Sequence, residues 1–204
     1  MKIASDIHIN MSRFHQLLNV NSNFDVIYHT VTIGGKQACF YMIDGFVKDQ
    51  VIQRIMQGFS SIRPEDMPPT PHDFSKQYIP YSETGLESEE ETILIRIFSG
   101  LTALFIDGYD RCILIDCRTY PARGVSEPDK DKVLRGSRDG FVETLIFNTA
   151  LIRRRIRDKD LTVEYAQAGE SSHTDIAICY MNKRVDKNLL NTIRTRIRNL
   201  QVDA

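Results

Sequence analysis

The sequence predicts an α/β (α+β) chain, with two small αβ subdomains that have mixed sheets and are joined by a proline-rich acidic linker. Three observations lead to this fold class. Residues 25–43 show the pattern of a β-hairpin, and apolar residues recur at helical spacing over 47–59. A composition break at 64–91 is then followed by a second set of strands and helices. A chain of 204 residues is long enough for one ordinary domain or two small ones.

The first subdomain is expected at 13–63, after an N-terminal tail at 1–12 that carries little pattern and is expected to be disordered. Strands at 25–33 and 36–43 flank Gly34 and Gly35, two residues that tolerate the positive φ of a tight turn. The helix at 47–59 has one apolar stripe and one polar face.

The linker is expected at 64–87. The stretch 64–91 holds five of the seven prolines, with eight acidic residues and one basic residue, a local charge of −7. Proline prevents a continuous helix or a central strand here, so we expect an extended segment with a short helix near 73–78. An acidic docking surface is the functional alternative.

The second subdomain is expected at 88–204. Ser88 and the acids after it indicate a helix start, and the helix is expected to end near Ser99. Strands follow at 101–106 and 111–116, the first apolar on both faces and therefore central. A long helix at 140–157 and a strand pair at 162–168 and 174–180 come next. Asp186 opens the last helix, whose expected buried stripe is Leu189, Leu190, Ile193, Ile197 and Leu200.

Composition narrows the function classes. With 26 basic and 27 acidic residues the net charge is −1, which argues against a dedicated nucleic-acid binder. No apolar run reaches the roughly 20 residues of a membrane span, and the start lacks a signal peptide, so a cytosolic compartment is expected. The four cysteines are expected to be reduced and mostly buried. The histidines are scattered and enzyme motifs are missing, so we expect no metal, no cofactor and no catalysis.

A basic segment at 118–157 is the strongest candidate for a binding function. It holds ten basic and five acidic residues, a local charge of +5 that mirrors the acidic linker. The two regions either neutralise each other, within the fold or between protomers, or the basic segment binds lipid head groups, a carboxylate ligand or an acidic protein. The candidate ligand-binding or partner-binding residues are Arg118, Arg123, Arg135, Arg138, Asn148, Arg153, Arg154 and Arg155.

The segment 135–140 and Asn148 each have a second, purely structural interpretation. Residues 135–140 precede the long helix, where free N–H groups and two arginines favour a small anion, although Asp139 more simply caps the helix. Asn148 lies inside the helix, where asparagine has poor propensity. It therefore either holds a loop against the helix by hydrogen bonds or contacts a ligand.

The same region resembles the spore-germination A-subunit family of endospore-forming Firmicutes. The resemblance rests on DCRTYPARG at 116–124 and NTALIRRRIR at 148–157, with shorter matches at 127–129, 135–136 and 139–144. Segments 23–29 and 43–49 resemble one branch of that family, and the match covers nearly the whole chain.

The resemblance implies an N-terminal region with two α/β subdomains, followed in the parent protein by membrane spans. It places that parent in the spore inner membrane and this region on the cytoplasmic, spore-core side. It implies non-catalytic assembly and signalling with other subunits of a germination complex or ion channel, as a homo-oligomer. The alternative is a sensor that binds an amino-acid-like germinant between the subdomains. Charges on the last helix are expected to face either solvent or membrane head groups: Lys187, Arg194, Arg196 and Arg198.

Overall fold

The structure, a computed structural model, describes residues 1–80, 82–119 and 140–200. Helices and strands alternate irregularly along the chain. The helices are α1 (Ile7–Leu17), α2 (Asp49–Phe59), α3 (Pro71–Tyr78), α4 (Glu90–Phe98), α5 (Leu145–Arg155) and α6 (Lys187–Arg198). The strands are β1 (Val26–Ile33), β2 (Lys36–Ile43), β3 (Thr84–Glu87), β4 (Thr102–Ile106), β5 (Cys112–Ile115), β6 (Leu161–Ala168) and β7 (Thr174–Met181).

A five-stranded sheet in the order β1-β2-β4-β5-β3 forms the centre of the larger part of the molecule. Helices cover both of its faces: Tyr41 and Phe105 pack in a cluster with α1 and α4, and Phe40 and Leu104 in a cluster with α2 and α3. Every residue of β4 is buried. This confirms the prediction of a central strand with both faces covered.

The sheet does not follow the division predicted from the sequence. Strand β2, from the range 13–63, pairs with β4, from the range 88–204, and β3, from the expected linker 64–87, pairs with β5. Strand β2 is buried along most of its length, so it needs a neighbour on each edge as well as helices on each face. The strands of the first predicted subdomain, of the predicted linker and of the start of the second subdomain therefore form one sheet. The α/β class is confirmed, but the prediction of mixed sheets is wrong for the described strands, which all pair antiparallel.

The N-terminal residues are also ordered differently from the expected disordered tail at 1–12. Helix α1 begins at Ile7, where the side chain of Asp6 accepts the backbone N–H of His8 at 2.7 Å. Before it, the N–H of Ile3 donates to the carbonyl oxygen of Ser88 at 2.9 Å. Residues 1–7 are therefore held against the sheet in two ways. They pair with the segment before α4, and the side chains of Ile3 and Ile7 are buried.

A second, two-stranded sheet pairs β6 with β7, as the sequence predicts. Helix α6 packs on β6, and α5 packs against β7. Helix α5 starts at Leu145 with Thr144 as its N-cap, later than the predicted start at 140. Asp186 caps α6 with its side chain, as expected. The predicted apolar stripe of α6 is wrong in its burial, because Leu190 alone among its five members is buried.

Candidate functional site at the junction of the two sheets

The junction is built around α5, which carries three of the predicted site residues. Its buried positions include Arg153 and the residues four and three positions before it, Thr149 and Ala150, so these side chains lie on one side of the helix. An arginine thus occupies a position of the buried row. Ile152 is only half-buried, and Ile156, directly after the helix, is 39% exposed.

Arg153 is fully buried and bonded on every side of its guanidinium. Its Nε donates to Oδ2 of Asp25 at 2.8 Å, and its Nη2 donates to Oδ1 of Asp25 at 2.9 Å. Its Nη1 donates to the carbonyl oxygen of Leu161 at 3.0 Å. The guanidinium carbon also lies 5.2 Å from the ring centre of Phe98. A bidentate carboxylate with a neighbouring aromatic ring is the environment in which arginine is preferred over lysine.

Asn23 completes this cluster and connects three segments. Its Oδ1 accepts the N–H of Val163 on β6 at 2.8 Å and an N–H of Arg153 at 3.4 Å. Its Nδ2 donates to the carbonyl oxygen of Leu18 at 2.9 Å, and the N–H of Phe24 donates to the carbonyl oxygen of Val163 at 3.1 Å. The segment just before β1 therefore lies along β6. We call Asn23, Asp25 and Arg153 the buried lock.

The sequence predictions did not include Asn23 or Asp25 among the site residues. A usable signal existed, because both are polar residues within three positions of the start of β1, and both lie in the segment 23–29 that carries the family resemblance. Only the spatial partner shows their role, since Asp25 and Arg153 are 128 positions apart.

Gly45 lets the loop after β2 come close to α5. A Cβ atom at this position would lie 3.0 Å from Cγ2 of Ile146 and 3.1 Å from Cβ of Ala150, and the φ angle of Gly45 is +78°. Both the space and the backbone angle therefore require glycine. Next to it, Asp44 accepts the N–H of Gly45 at 2.8 Å through its carboxylate. Burial raises the pKa of Asp44, and the nearby carboxylates of Asp49 and Asp25 raise it further.

Asn148 closes a small loop ahead of α5. Its Oδ1 accepts the N–H of Val142 at 2.7 Å, and its Nδ2 donates to the carbonyl oxygen of the same residue at 2.7 Å. The interpretation that Asn148 holds a loop against the helix is confirmed. The amide satisfies both backbone groups of Val142 in a stretch that has no secondary structure of its own.

Arg118 lies at the end of β5, on the side of the sheet near the loop after β2. Its Nε donates to Oδ1 of Asp116 at 2.9 Å, and a second ion-pair contact joins its Nη2 to Oδ2 of the same residue. This pairing lowers the pKa of Asp116. The N–H of Thr119 donates to the carbonyl oxygen of Phe46, so the chain after β5 runs beside that loop.

The remaining predicted residues separate into two groups. Arg154 is half-buried and Arg155 is exposed, both in the last turn of α5. Arg123, Arg135 and Arg138, together with the predicted cap Asp139, lie outside the described residues. Among the residues that the structure describes, no group of histidine, cysteine and carboxylate side chains is arranged to hold a metal ion.

The arrangement favours a mechanical role for the lock over capture of a ligand. A fully buried guanidinium whose donors already serve a carboxylate, an amide and a carbonyl offers nothing to an incoming anion. Removal of one partner from such a pair leaves an uncompensated charge in the interior, which is strongly destabilising. The lock therefore fixes β6 and α5 to the start of β1.

Comparison with known proteins agrees with this fold and extends it. Residues 13–204 match the family described as Bacillus/Clostridium GerA spore germination protein. The chain is 34% identical to stage V sporulation protein AF of Bacillus subtilis over 96% of its own length and 40% of that protein. It is 25% identical to spore germination protein B1 of Bacillus subtilis over its whole length and 42% of that protein. The chain thus spans about two fifths of the length of these relatives.

A solved structure has the same fold. The crystal structure of the N-terminal domain of the A subunit of the Bacillus megaterium spore germinant receptor GerK3 superposes with a TM-score of 0.75. The superposition covers 98% of this chain and 74% of that one, at 19% identity. The resemblance read from the sequence is confirmed, including the branch that it indicated. The chain belongs to the GerA family of spore germination proteins.

Proposed function

We propose that this chain is the N-terminal region of a spore germination protein and lies outside the membrane. We propose that it has no catalytic activity and acts in assembly with other subunits and in signalling between them. Family membership and the share of about two fifths that the chain covers in its relatives support this proposal. We propose further that the parent lies in the spore inner membrane, with this region facing the spore core. Among the described residues, no helix is long and apolar enough to cross a bilayer.

The observation that carries the proposal is the segregation of charge between two parts joined by the buried lock. Residues 1–119 contain 15 acidic and 10 basic side chains, a net charge of −5. Residues 140–200 contain 11 basic and 7 acidic side chains, a net charge of +4. Opposite charges on two parts of one chain suit contacts with neighbouring subunits, because complementary potentials select the partner and set its orientation.

The last turn of α5 connects the interior to that basic surface. Arg153 points into the lock, while Arg155 and, after the helix, Arg157 are exposed. A force on the surface arginines therefore acts on the same turn that holds the two sheets together. This geometry supports transmission of a subunit contact to the junction.

Charge reversal on the surface turn tests the proposal without disturbing the lock. We expect Arg155→Glu combined with Arg157→Glu, both exposed, to reduce oligomers of the full-length protein trapped by cross-linking and to slow spore germination. The matched control is Arg54→Glu combined with Lys76→Glu, two exposed basic residues on α2 and α3. Normal oligomers and normal germination in the α5 variant would contradict the proposal.

A sensor of small molecules is the second candidate, and one observation favours it. A groove of about 420 Å³ lies between α1 and the β1–β2 hairpin, within the size range of ligand pockets. His8, Met11, Thr30 and Gln37 are among the residues that line it. Titration of amino acids into the chain, followed by NMR, tests this candidate. Chemical-shift changes at the groove residues would support a sensor. Their absence at a ligand concentration of about 1 mM would contradict it, because a dissociation constant of about 1 mM already corresponds to a weak binding free energy of about −4 kcal/mol.

A further inference from the structure

Strand β1 is the last strand at one edge of the five-stranded sheet. It pairs with β2 over all eight of its residues, without a bulge. Just before it, the N–H of Asp44 donates to the carbonyl oxygen of Asp25, so Asp25 belongs to the residues that exchange hydrogen bonds with β2. In an antiparallel pair such residues alternate with residues whose backbone groups point away from the partner strand. The even-numbered residues of β1 therefore direct their N–H and carbonyl groups outward.

Three of these outward residues form an open edge. Within the part of the chain that the structure describes, no backbone partner meets the outward groups of Tyr28, Thr30 and Thr32. Val26 differs from them, because its N–H donates to the carbonyl oxygen of Asn23 at 3.3 Å. Tyr28 is 42% exposed, and Thr30 and Thr32 are exposed as well. We call residues 28–32 the open edge.

The opposite edge of the sheet is protected, whereas β1 is not. Strand β3 has four residues, one of them Glu87, and just after it Glu89 pairs with Lys2 of the N-terminal segment. Short length, charged side chains, proline and bulges are the usual means of protecting an edge strand. Residues 26–33 contain no proline, lysine, arginine or carboxylate. A long edge strand of this composition is suited to accept another strand.

We propose that the open edge pairs with the open edge of a second copy of this chain, as antiparallel strands related by a two-fold axis at Thr30. In this register Thr30 lies opposite the partner's Thr30, and Tyr28 lies opposite the partner's Thr32. The outward residues then meet only one another. Each of the three residue pairs exchanges two backbone hydrogen bonds, so every outward N–H and carbonyl group of the open edge gains a partner.

The side chains of the open edge also favour a second copy as the partner. An aromatic ring opposite threonine and threonine opposite threonine are favourable cross-strand pairs, whereas like charges directly opposite each other are unfavourable. On the other face of the strand, His29 lies opposite the partner's Val31. A contact about a two-fold axis uses the same surface on both copies, so association ends at the dimer. The inference deepens the proposed assembly role, on which it rests for the meeting of two copies in one complex.

Sedimentation equilibrium of the 204-residue chain tests the contact. We expect a monomer–dimer equilibrium. Thr30→Pro removes an outward N–H from each copy, so both central hydrogen bonds are lost and the dissociation constant should rise by about tenfold or more. Proline is tolerated in an edge strand where the N–H faces solvent. Circular dichroism and thermal unfolding of the monomer should therefore stay close to those of the parent chain.

Charges at position 30 give a second test that depends on the register. Thr30→Lys and Thr30→Glu should each dissociate the dimer, because like charges then lie directly opposite each other, and an equal mixture of the two variants should restore it. Thr32→Lys and Thr32→Glu are matched controls on the same face of the strand. Thr32 is four residues, about 13 Å, from the partner's Thr32 along the strand, so mixing these variants should restore nothing.

Four results would overturn the proposal. A chain that stays monomeric up to about 1 mM, where even a weak pair associates, would exclude the contact. A dimer that Thr30→Pro leaves intact would place the contact on another surface, and recovery on mixing the Thr32 variants would exclude the register. Association beyond the dimer would exclude the two-fold axis. The assay contains no other subunit, so each of these results would leave the germination test of the α5 surface turn unaffected.

Discussion

The guanidinium of Arg153 and the carboxylate of Asp25 form a two-point ion pair, at 2.8 and 2.9 Å, between residues 128 positions apart and fully or almost fully buried. The pair joins α5 to the entry of β1. Because Arg153 also donates to the carbonyl oxygen of Leu161, it connects the five-stranded sheet to the two-stranded one. Its role is therefore to fix the relative position of the two sheets.

Removal of one partner of this pair should be costly. Asp25→Ala leaves a guanidinium charge in the interior, and we expect the free energy of unfolding to fall by about 3–5 kcal/mol. Adding Arg153→Met removes that charge and should recover part of the loss. Urea denaturation followed by circular dichroism measures both values. Arg157→Met, an exposed arginine one turn further on, is the control and should change stability by less than about 0.5 kcal/mol. If Asp25→Ala lowered the free energy of unfolding no more than the control does, the ion pair would not stabilise the junction of the two sheets.

Gly45 should tolerate no side chain. Gly45→Ala places a methyl group 3.0 Å from Ile146 and 3.1 Å from Ala150 at a φ angle of +78°, so we expect a loss of about 2 kcal/mol or more. Gly58→Ala is the matched control, because a Cβ at Gly58 in α2 has no neighbouring atom within 4 Å. That control should be neutral or should stabilise the protein by up to about 0.5 kcal/mol. Equal effects of the two substitutions in thermal unfolding would contradict the close approach seen at α5.

The elements predicted correctly from the sequence are those whose signals are local. The β1–β2 hairpin was placed within one residue because Gly34 and Gly35 both take positive φ, at +52° and +75°, between two runs of strand-forming residues. Helices α2 and α6 were recognised because their apolar residues recur with the helical period.

Long-range pairing left no such signal. The contact between β2 and β4 joins residues 62 to 68 positions apart. The predicted linker between them contains the expected short helix, α3, but it also supplies the edge strand β3, which was not predicted. Arg153 was predicted as a binding residue because it lies in the segment 118–157, which has ten basic and five acidic residues. Its burial depends on Asp25 and Asn23, which the chain brings to α5 only after folding.

Asn148 offers a prediction with a residue-specific measurement. Asn148→Ala removes both bonds to Val142, and we expect a loss of about 1–2 kcal/mol together with faster hydrogen exchange of the Val142 amide. Asn148→Asp keeps the acceptor for that N–H and removes only the donor to the carbonyl. The amide of Val142 should therefore stay more protected in the aspartate variant than in the alanine variant. The same exchange rate in both variants would show that the side chain does not hold this loop.

The Glu164–Arg194 pair should contribute stability that depends on pH. Hydrogen bonds from Arg194 lower the pKa of Glu164 below the ordinary value of 4.5. Its contribution is therefore present above pH 4.5 and is lost as the pH falls through the lowered pKa. We expect Glu164→Gln to cost about 1 kcal/mol at neutral pH, with the difference from the parent shrinking in acid. Urea denaturation at a series of pH values measures this, and a difference that stays constant down to acid pH would contradict the ion pair.

Asp44 should show the opposite sign, because burial raises its pKa above the ordinary value of 3.8. The folded state then binds a proton more tightly than the unfolded state does, so this group lowers stability as the pH rises from 3.8 through the raised pKa. Asp44→Asn keeps an oxygen for the N–H of Gly45 and removes the charge. We therefore expect the variant to be more stable than the parent at neutral pH and equally stable below pH 3.8. Destabilisation by Asp44→Asn at neutral pH would mean that the fold favours the charged carboxylate. It would therefore contradict the raised pKa of Asp44.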